Sequence, residues 1–289
     1  MKHLFFTSIV LTLALQSSAF AENSISTEIP AAEAPNSATA VTTGNAEAFK
    51  APAFHGTYVG FFNGPGLNTA ESGKTKDGSD IYVSNRLSVK RDLSQNIDAG
   101  LQARIATSFT SDGVKANNEY WRLFASFKKL ASLGIISLDL IPRVMLPSTI
   151  VAHNSTMLPS PELIAAFNIN PSDSRFSFVY TTYFQKYLYN NDSAALSNKA
   201  TTFDFTQSLE ANYQLGKTTQ INVGYWPEYT STKTAAITTT SNEVDVGMSW
   251  DFAKGWTLSP FIATEMNGLD TASIGKKMQA NLILSGAFL

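Results

Sequence analysis

The sequence predicts an all-β fold: an up-and-down antiparallel β-barrel of about twelve strands that crosses a membrane. Three observations point there. The first is strict alternation. Val244, Val246, Met248, Trp250 and Phe252 interleave with Glu243, Asp245, Gly247, Ser249 and Asp251, and a period of two sends alternate side chains to opposite faces of a strand. The second is the rhythm of the connections. Short and long gaps alternate between successive runs, as tight turns on one side of a membrane and longer loops on the other require. The third is that no apolar run beyond the N-terminal segment reaches the roughly 18 residues of a membrane-spanning helix.

The N-terminus is set apart from the fold. Lys2 and His3 precede an apolar stretch from Leu4 to Leu15, and Ala19-Phe20-Ala21 follows with a small-x-small pattern. Residues 1–21 read as a secretory signal peptide, too short in their apolar part to span a bilayer. Residues 22–53 hold mainly Ala, Ser, Thr, Pro and Glu, with Pro30, Pro35 and Pro52 among them. Such a segment cannot bury enough apolar surface to offset the entropy of ordering, so it reads as a flexible periplasmic stretch. The barrel is expected from 54 to 289.

Twelve runs follow, near 54–62, 80–91, 96–109, 118–129, 134–146, 160–170, 174–189, 201–215, 218–230, 242–253, 256–267 and 276–288. The gaps 92–95, 130–133, 171–173, 216–217 and 254–255 are short. The gaps 63–79, 110–117, 147–159, 190–200, 231–241 and 268–275 are longer. An even number of strands returns both ends of the barrel to one side, expected to be the periplasm. In the second run Ile81, Val83, Leu87 and Val89 oppose Ser84, Arg86, Ser88 and Lys90. In the third, Ile97, Leu101 and Ile105 oppose Asp98, Gln102 and Arg104. In the eighth, Phe203, Phe205 and Leu209 oppose Asp204, Ser208 and Glu210. A charge on the lipid face at mid-membrane costs about 2–4 kcal/mol, so the ionisable groups must face inward.

Aromatic residues gather near the ends of the runs. Trp121, Tyr213, Trp226, Trp250, Phe252, Trp256 and Phe288 are expected to form girdles at the two membrane–water boundaries, where an apolar ring with a polar edge is well placed. The last run, Met278 to Phe288, alternates like the others. The leader, the alternating strands and this terminal run together resemble the bacterial outer-membrane β-barrel superfamily, porins and their relatives. The resemblance covers about 54–289. It implies a Gram-negative outer-membrane location, contact with lipid, and recognition of the last strand by the barrel assembly machinery. Leu289 follows Phe288 where such strands ordinarily end on the aromatic.

The inward charges separate by position. Arg86, Lys90, Arg104, Arg122 and Arg143 come from runs two to five, with Arg175 later; Asp204, Glu210, Glu228, Asp245, Asp251 and Glu265 come from runs eight to eleven. In a twelve-stranded barrel these sets lie on opposite walls. A basic wall facing an acidic one across water gives a transverse field that orients and filters polar solutes. The expected function is passive diffusion of small polar or charged solutes. If the walls touch, the same residues form a salt-bridged interior that closes a structural or adhesion barrel, since twelve strands lie between filled and open cases.

Other classes fit less well. With 21 Lys+Arg, 23 Asp+Glu, 3 His and no Cys, there is no disulfide framework, no thiolate metal site and no excess of positive charge for nucleic acid. No cofactor or metal is implied, and no enzyme is expected. Outer-membrane phospholipases are similar in architecture and use Ser, His and Asn. His153-Asn154-Ser155 is the one candidate here, and its order departs from their His-x-Ser-Asn-Gly spacing. Outer-membrane proteases need a His–Asp pair at the rim, and His55 falls in the first run. The segment from Lys74 to Asp80 reads as a solvated loop. The chain is too short for a 22-stranded receptor with a plug, and 22–53 is no autotransporter passenger. Self-association through an outer face is compatible with this surface.

Overall fold

A computed structural model of the chain describes residues 54–66, 81–110, 113–147, 157–171, 174–190, 201–232, 238–265 and 278–288. Its strands in chain order are β1 (Phe54–Gly66), β2 (Ile81–Ser94), β3 (Ile97–Thr110), β4 (Gly113–Leu133), β5 (Ile136–Pro147), β6 (Met157–Leu158), β7 (Ser160–Ile169), β8 (Phe176–Lys186), β9 (Leu188–Tyr189), β10 (Thr201–Gln214), β11 (Thr219–Thr232), β12 (Thr238–Ala253), β13 (Trp256–Glu265) and β14 (Met278–Ala287). Twelve of them close one antiparallel barrel in sequence order; β6 and β9 form a separate two-stranded ladder. Closure joins β1 to β14, from Thr57 opposite Ala287 to Asn63 opposite Asn281. No barrel strand is left with an unpaired edge, which is the condition for carrying a sheet through lipid. The predicted leader and residues 22–53 lie outside the described residues, as do the His153–Ser155 triplet and the Lys74–Asp80 segment.

Alternation sets the two faces. Leu87, Leu101, Leu123, Val144, Leu163, Leu209, Val223, Val246 and Ile262 point outward, each more than a third exposed. They come from nine of the twelve barrel strands and form an apolar belt. A patch of that extent is not left facing water on a soluble protein; it is the lipid-facing surface of a transmembrane barrel. The opposite alternation carries the polar set: Ser84, Arg86, Ser88, Asp98, Arg104, Arg122, Glu162, Gln185 and Asn212 are buried.

The strand positions follow the alternation of the sequence closely, with three departures. The expected loop 110–117 is strand: β3 runs to Thr110 and β4 begins at Gly113, with Thr110 paired to Gly113. Gly113 has φ +123°, a conformation glycine adopts without strain. The run 174–189 divides at Tyr187, where the chain leaves β8 and pairs Leu188 and Tyr189 with Leu158 and Met157. The third departure is a pair of bulges in β4. Arg104 faces Tyr120 while Ile105 faces Asn118, so Glu119 is an extra residue. Near the other end, Phe127 faces Leu140 and Ala131 faces Leu138. There Lys129 takes φ +50°, and its backbone N–H donates to Asp139 Oδ1 at 2.7 Å.

Candidate functional site

The candidate site is the inner wall of the barrel. Closure in sequence order sets β2–β5 six strands away from β10–β13, so the two charged sets stand across the lumen from one another. Arg86 and Lys90 on β2, Arg104 on β3, Arg122 on β4 and Arg143 on β5 all occupy inward positions of the alternation. Arg175 does not join them: it is exposed in the turn before β8.

The basic wall carries its own acids. Arg122 Nε lies 2.7 Å from Glu162 Oε2, with both side chains essentially out of solvent. Arg104 Nε lies 2.5 Å from Glu119 Oε2, and Tyr82 donates to the other carboxylate oxygen at 2.8 Å. Asp98 is bracketed by Lys128 at 2.9 Å and Lys90 at 3.5 Å. Tyr120 packs between two guanidinium groups, its ring centroid 4.0 Å from Arg122 and 5.5 Å from Arg104, a cation–π arrangement. Arg104 Nε also donates to Ser84 at 2.7 Å. At the turn end, His55 and Asp92 approach to 2.6 Å, and Asn168 donates to Asp139 at 3.1 Å.

The acidic wall is built differently. Asp204 and Glu210 on β10, Glu228 on β11, Asp245 and Asp251 on β12 and Glu265 on β13 are inward by register, and Glu243 joins them opposite Glu265. Strands β10 to β14 contain no Lys, Arg or His at any position. Three of the acids accept from neutral groups. The Trp226 indole N–H donates to Asp245, Thr257 donates to Asp251 at 2.6 Å, and Tyr187 donates to Asp204 at 2.7 Å. A polar ladder continues alongside: Asn222 donates to Asn212, Ser249 to Asn222 at 3.0 Å and Ser259 to Ser249 at 2.8 Å.

Between the walls lie two apolar strips. Val59 and Phe61 on β1, Ile283 on β14 and Phe261 on β13 turn inward by register, with the Phe61 and Phe261 rings 5.7 Å apart. On the far side Met145, Ile164 and Tyr183 are buried. Two inward glycines are met by rings: Gly100 by Phe124 and Gly224 by Trp226. A ring laid over a glycine restores packing where the strand has no side chain and must bend. These rings narrow the lumen.

The expected girdle residues divide. Trp121, Trp250, Phe252 and Phe288 are outward and well exposed. Tyr213 packs on Phe176 with centroids 4.6 Å apart, and Trp256 packs outside over Gly286. Trp226 is a correction. It is 7% exposed and its indole points into the barrel toward Asp245. The reason is parity: Tyr225 next to it is outward and exposed, so adjacent Trp226 cannot be. The sequence reading also missed the wall residues Glu119, Lys128, Asp139, Glu162 and Glu243. Glu162 was readable, since it alternates with Pro161 and Leu163 on the run 160–170. Glu119 was not, because only the bulge turns it inward beside Tyr120.

No protein-family model matches this sequence, and a search of curated proteins returns no match. Among solved structures, the chain is similar to a COG4313 outer membrane channel from Pseudomonas putida F1, with TM-score 0.52, 11% identity, and 86% of this chain and 100% of that chain covered. Looser likenesses include the NanC porin, with TM-score 0.47, 8% identity, and 81% and 100% covered. Another is the outer membrane phospholipase A from Escherichia coli, with TM-score 0.43, 14% identity, and 81% and 89% covered. The first of these establishes the fold, a closed β-barrel of the kind found in outer membranes.

Proposed function

We propose that the protein is a passive channel in a bacterial outer membrane, with both termini and its short turns at the periplasmic side and its lumen polarised between a basic and an acidic wall. The observation that carries this reading is the segregation of charge inside a closed barrel: cations concentrate on β2–β5, while β10–β14 carry none. A structural barrel needs its interior charges paired; it has no need to sort them by sign. Sorting sets a field across the lumen, and such a field acts on a passing solute. The ion pairs Arg104–Glu119 and Arg122–Glu162 run along the basic wall and not across the bore, which leaves the acidic wall facing the lumen. Small polar or charged solutes are the substrates, and the last strand is the segment offered to the assembly machinery.

A second reading, a barrel closed by its own side chains, is favoured by depth of burial: Ser84, Asp98, Arg122 and Gln185 are each 1% exposed. Conductance separates the two. The refolded protein in a planar bilayer is expected to give stable single-channel steps. Replacing Arg86 and Arg143 by Gln is expected to shift the reversal potential toward cations. A folded protein whose mobility changes on heating, but which passes no current, would establish the closed barrel instead.

A further inference from the structure

We infer that this pore selects for cations, and that the selecting surface is the wall of β10–β13, with Glu210, Asp245 and Asp251 at its centre. The inference rests on the channel reading and specifies its solute. Two walls of opposite charge suggest at first an unselective bore, but their pairing is unequal. The basic wall is partly neutralised within itself: Glu119, Glu162 and Asp98 lie within ion-pair distance of Arg104, Arg122 and the two lysines. A guanidinium already matched to a carboxylate presents a dipole to the bore, and its field falls faster with distance than that of a free charge. Across the lumen, no Lys, Arg or His among the described residues pairs with Glu210, Asp245 or Asp251. Indole and hydroxyl donors hold Asp245 and Asp251 in place and bring no charge of their own. Pores that pass cations are lined in this way by carboxylates.

An independent feature points to the same class of solute. Asn281 on β14 faces the lumen opposite Phe261 and is 7% exposed. Its carbonyl Oδ1 is buried and accepts no hydrogen bond among the described residues. An oxygen left without a donor at the edge of an acidic wall is matched by a solute that brings a positive charge or an N–H group. The solute class is therefore small cations, inorganic ions or protonated amines, moving along the β10–β13 side.

The test is the reversal potential of the refolded protein in a planar bilayer under a potassium chloride gradient. The sign expected is that of potassium permeating in excess of chloride. Asp245→Asn with Asp251→Asn, isosteric and checked for heat-modifiable mobility, is expected to lower the potassium-to-chloride permeability ratio severalfold while keeping single-channel steps. Stable steps with chloride preferred, or with neither ion preferred, would overturn the selectivity and leave the channel reading intact. If the double variant does not fold, the sign measured on the unmodified protein decides alone. A folded protein without steps would overturn the channel reading itself.

Discussion

The two charged walls of this barrel solve the same physical problem in opposite ways. On β2–β7 the buried Arg104, Arg122 and Asp98 are each met by a charge of the other sign, and the geometry is tight: Arg122 meets Glu162 at 2.7 Å with both out of solvent. On β10–β13 carboxylates are held by Trp226 and Thr257, which contribute hydrogen bonds and no charge. The difference teaches that a count of charges on a wall does not give its field. A paired wall is structure, and its residues are expected to respond to mutation as a core does. A wall of carboxylates held by neutral donors keeps its field, and its residues are expected to respond as a selectivity surface does.

The most direct way to break this comparison is to remove one member of the buried pair. Arg122→Ala removes the guanidinium that meets Glu162 at 2.7 Å, and breaking a buried pair in this way is expected to cost about 3–5 kcal/mol. The measurement is the urea midpoint of the refolded protein in detergent or lipid. The double replacement Arg122→Met with Glu162→Leu is expected to recover part of that loss, because the two charges of the pair are removed together. A loss below about 1 kcal/mol for Arg122→Ala would show the basic wall to be as open to water as an exposed pair.

The next effect sharpens the other side. Trp226→Phe keeps an aromatic ring on this strand and deletes the indole N–H that Asp245 accepts, together with part of the ring system. A hydrogen bond to a charged group contributes about 1.5–3 kcal/mol, so the urea midpoint is expected to fall by a correspondingly smaller amount than for Arg122→Ala. A change as large as that of Arg122→Ala would mean that Asp245 is held as rigidly as the buried ion pair, and that the two walls do not differ in kind.

Much of this architecture was legible before any coordinates. Strand positions follow from a period of two, because one face of every strand meets lipid and tolerates almost no polar residue. The separation of Arg86, Arg104 and Arg122 from Asp204, Glu210 and Asp245 follows from closure in sequence order. Parity was also enough to send Trp226 inward once Tyr225 was set outward, and placing Trp226 among the boundary aromatics overlooked it. What parity cannot supply is pairing. Arg122 reaches Glu162 across β5, the strand between them, and no local pattern encodes that reach. Nor does it supply the bulge. At Glu119 the chain inserts one residue, alternation slips, and a carboxylate turns inward where the pattern places it outside.

That bulge provides the smallest and most specific prediction. Glu119 binds Arg104 and accepts from Tyr82, and its side chain is 24% exposed while that of Arg104 is 4% exposed. Glu119→Gln keeps the shape and one acceptor oxygen and removes the charge. Because water reaches the carboxylate, the expected loss is only about 1 kcal/mol. The effect on permeation is expected to be qualitatively different. Arg104 loses its counter-charge but keeps its own hydrogen bond to Ser84, so the basic wall gains a net positive charge without collapsing. The reversal potential is then expected to move toward chloride, opposite in sense to the Arg86 and Arg143 replacements. If Glu119→Gln leaves the reversal potential unchanged, Arg104 was not screened from the bore by its partner, and pairing is not what distinguishes the two walls.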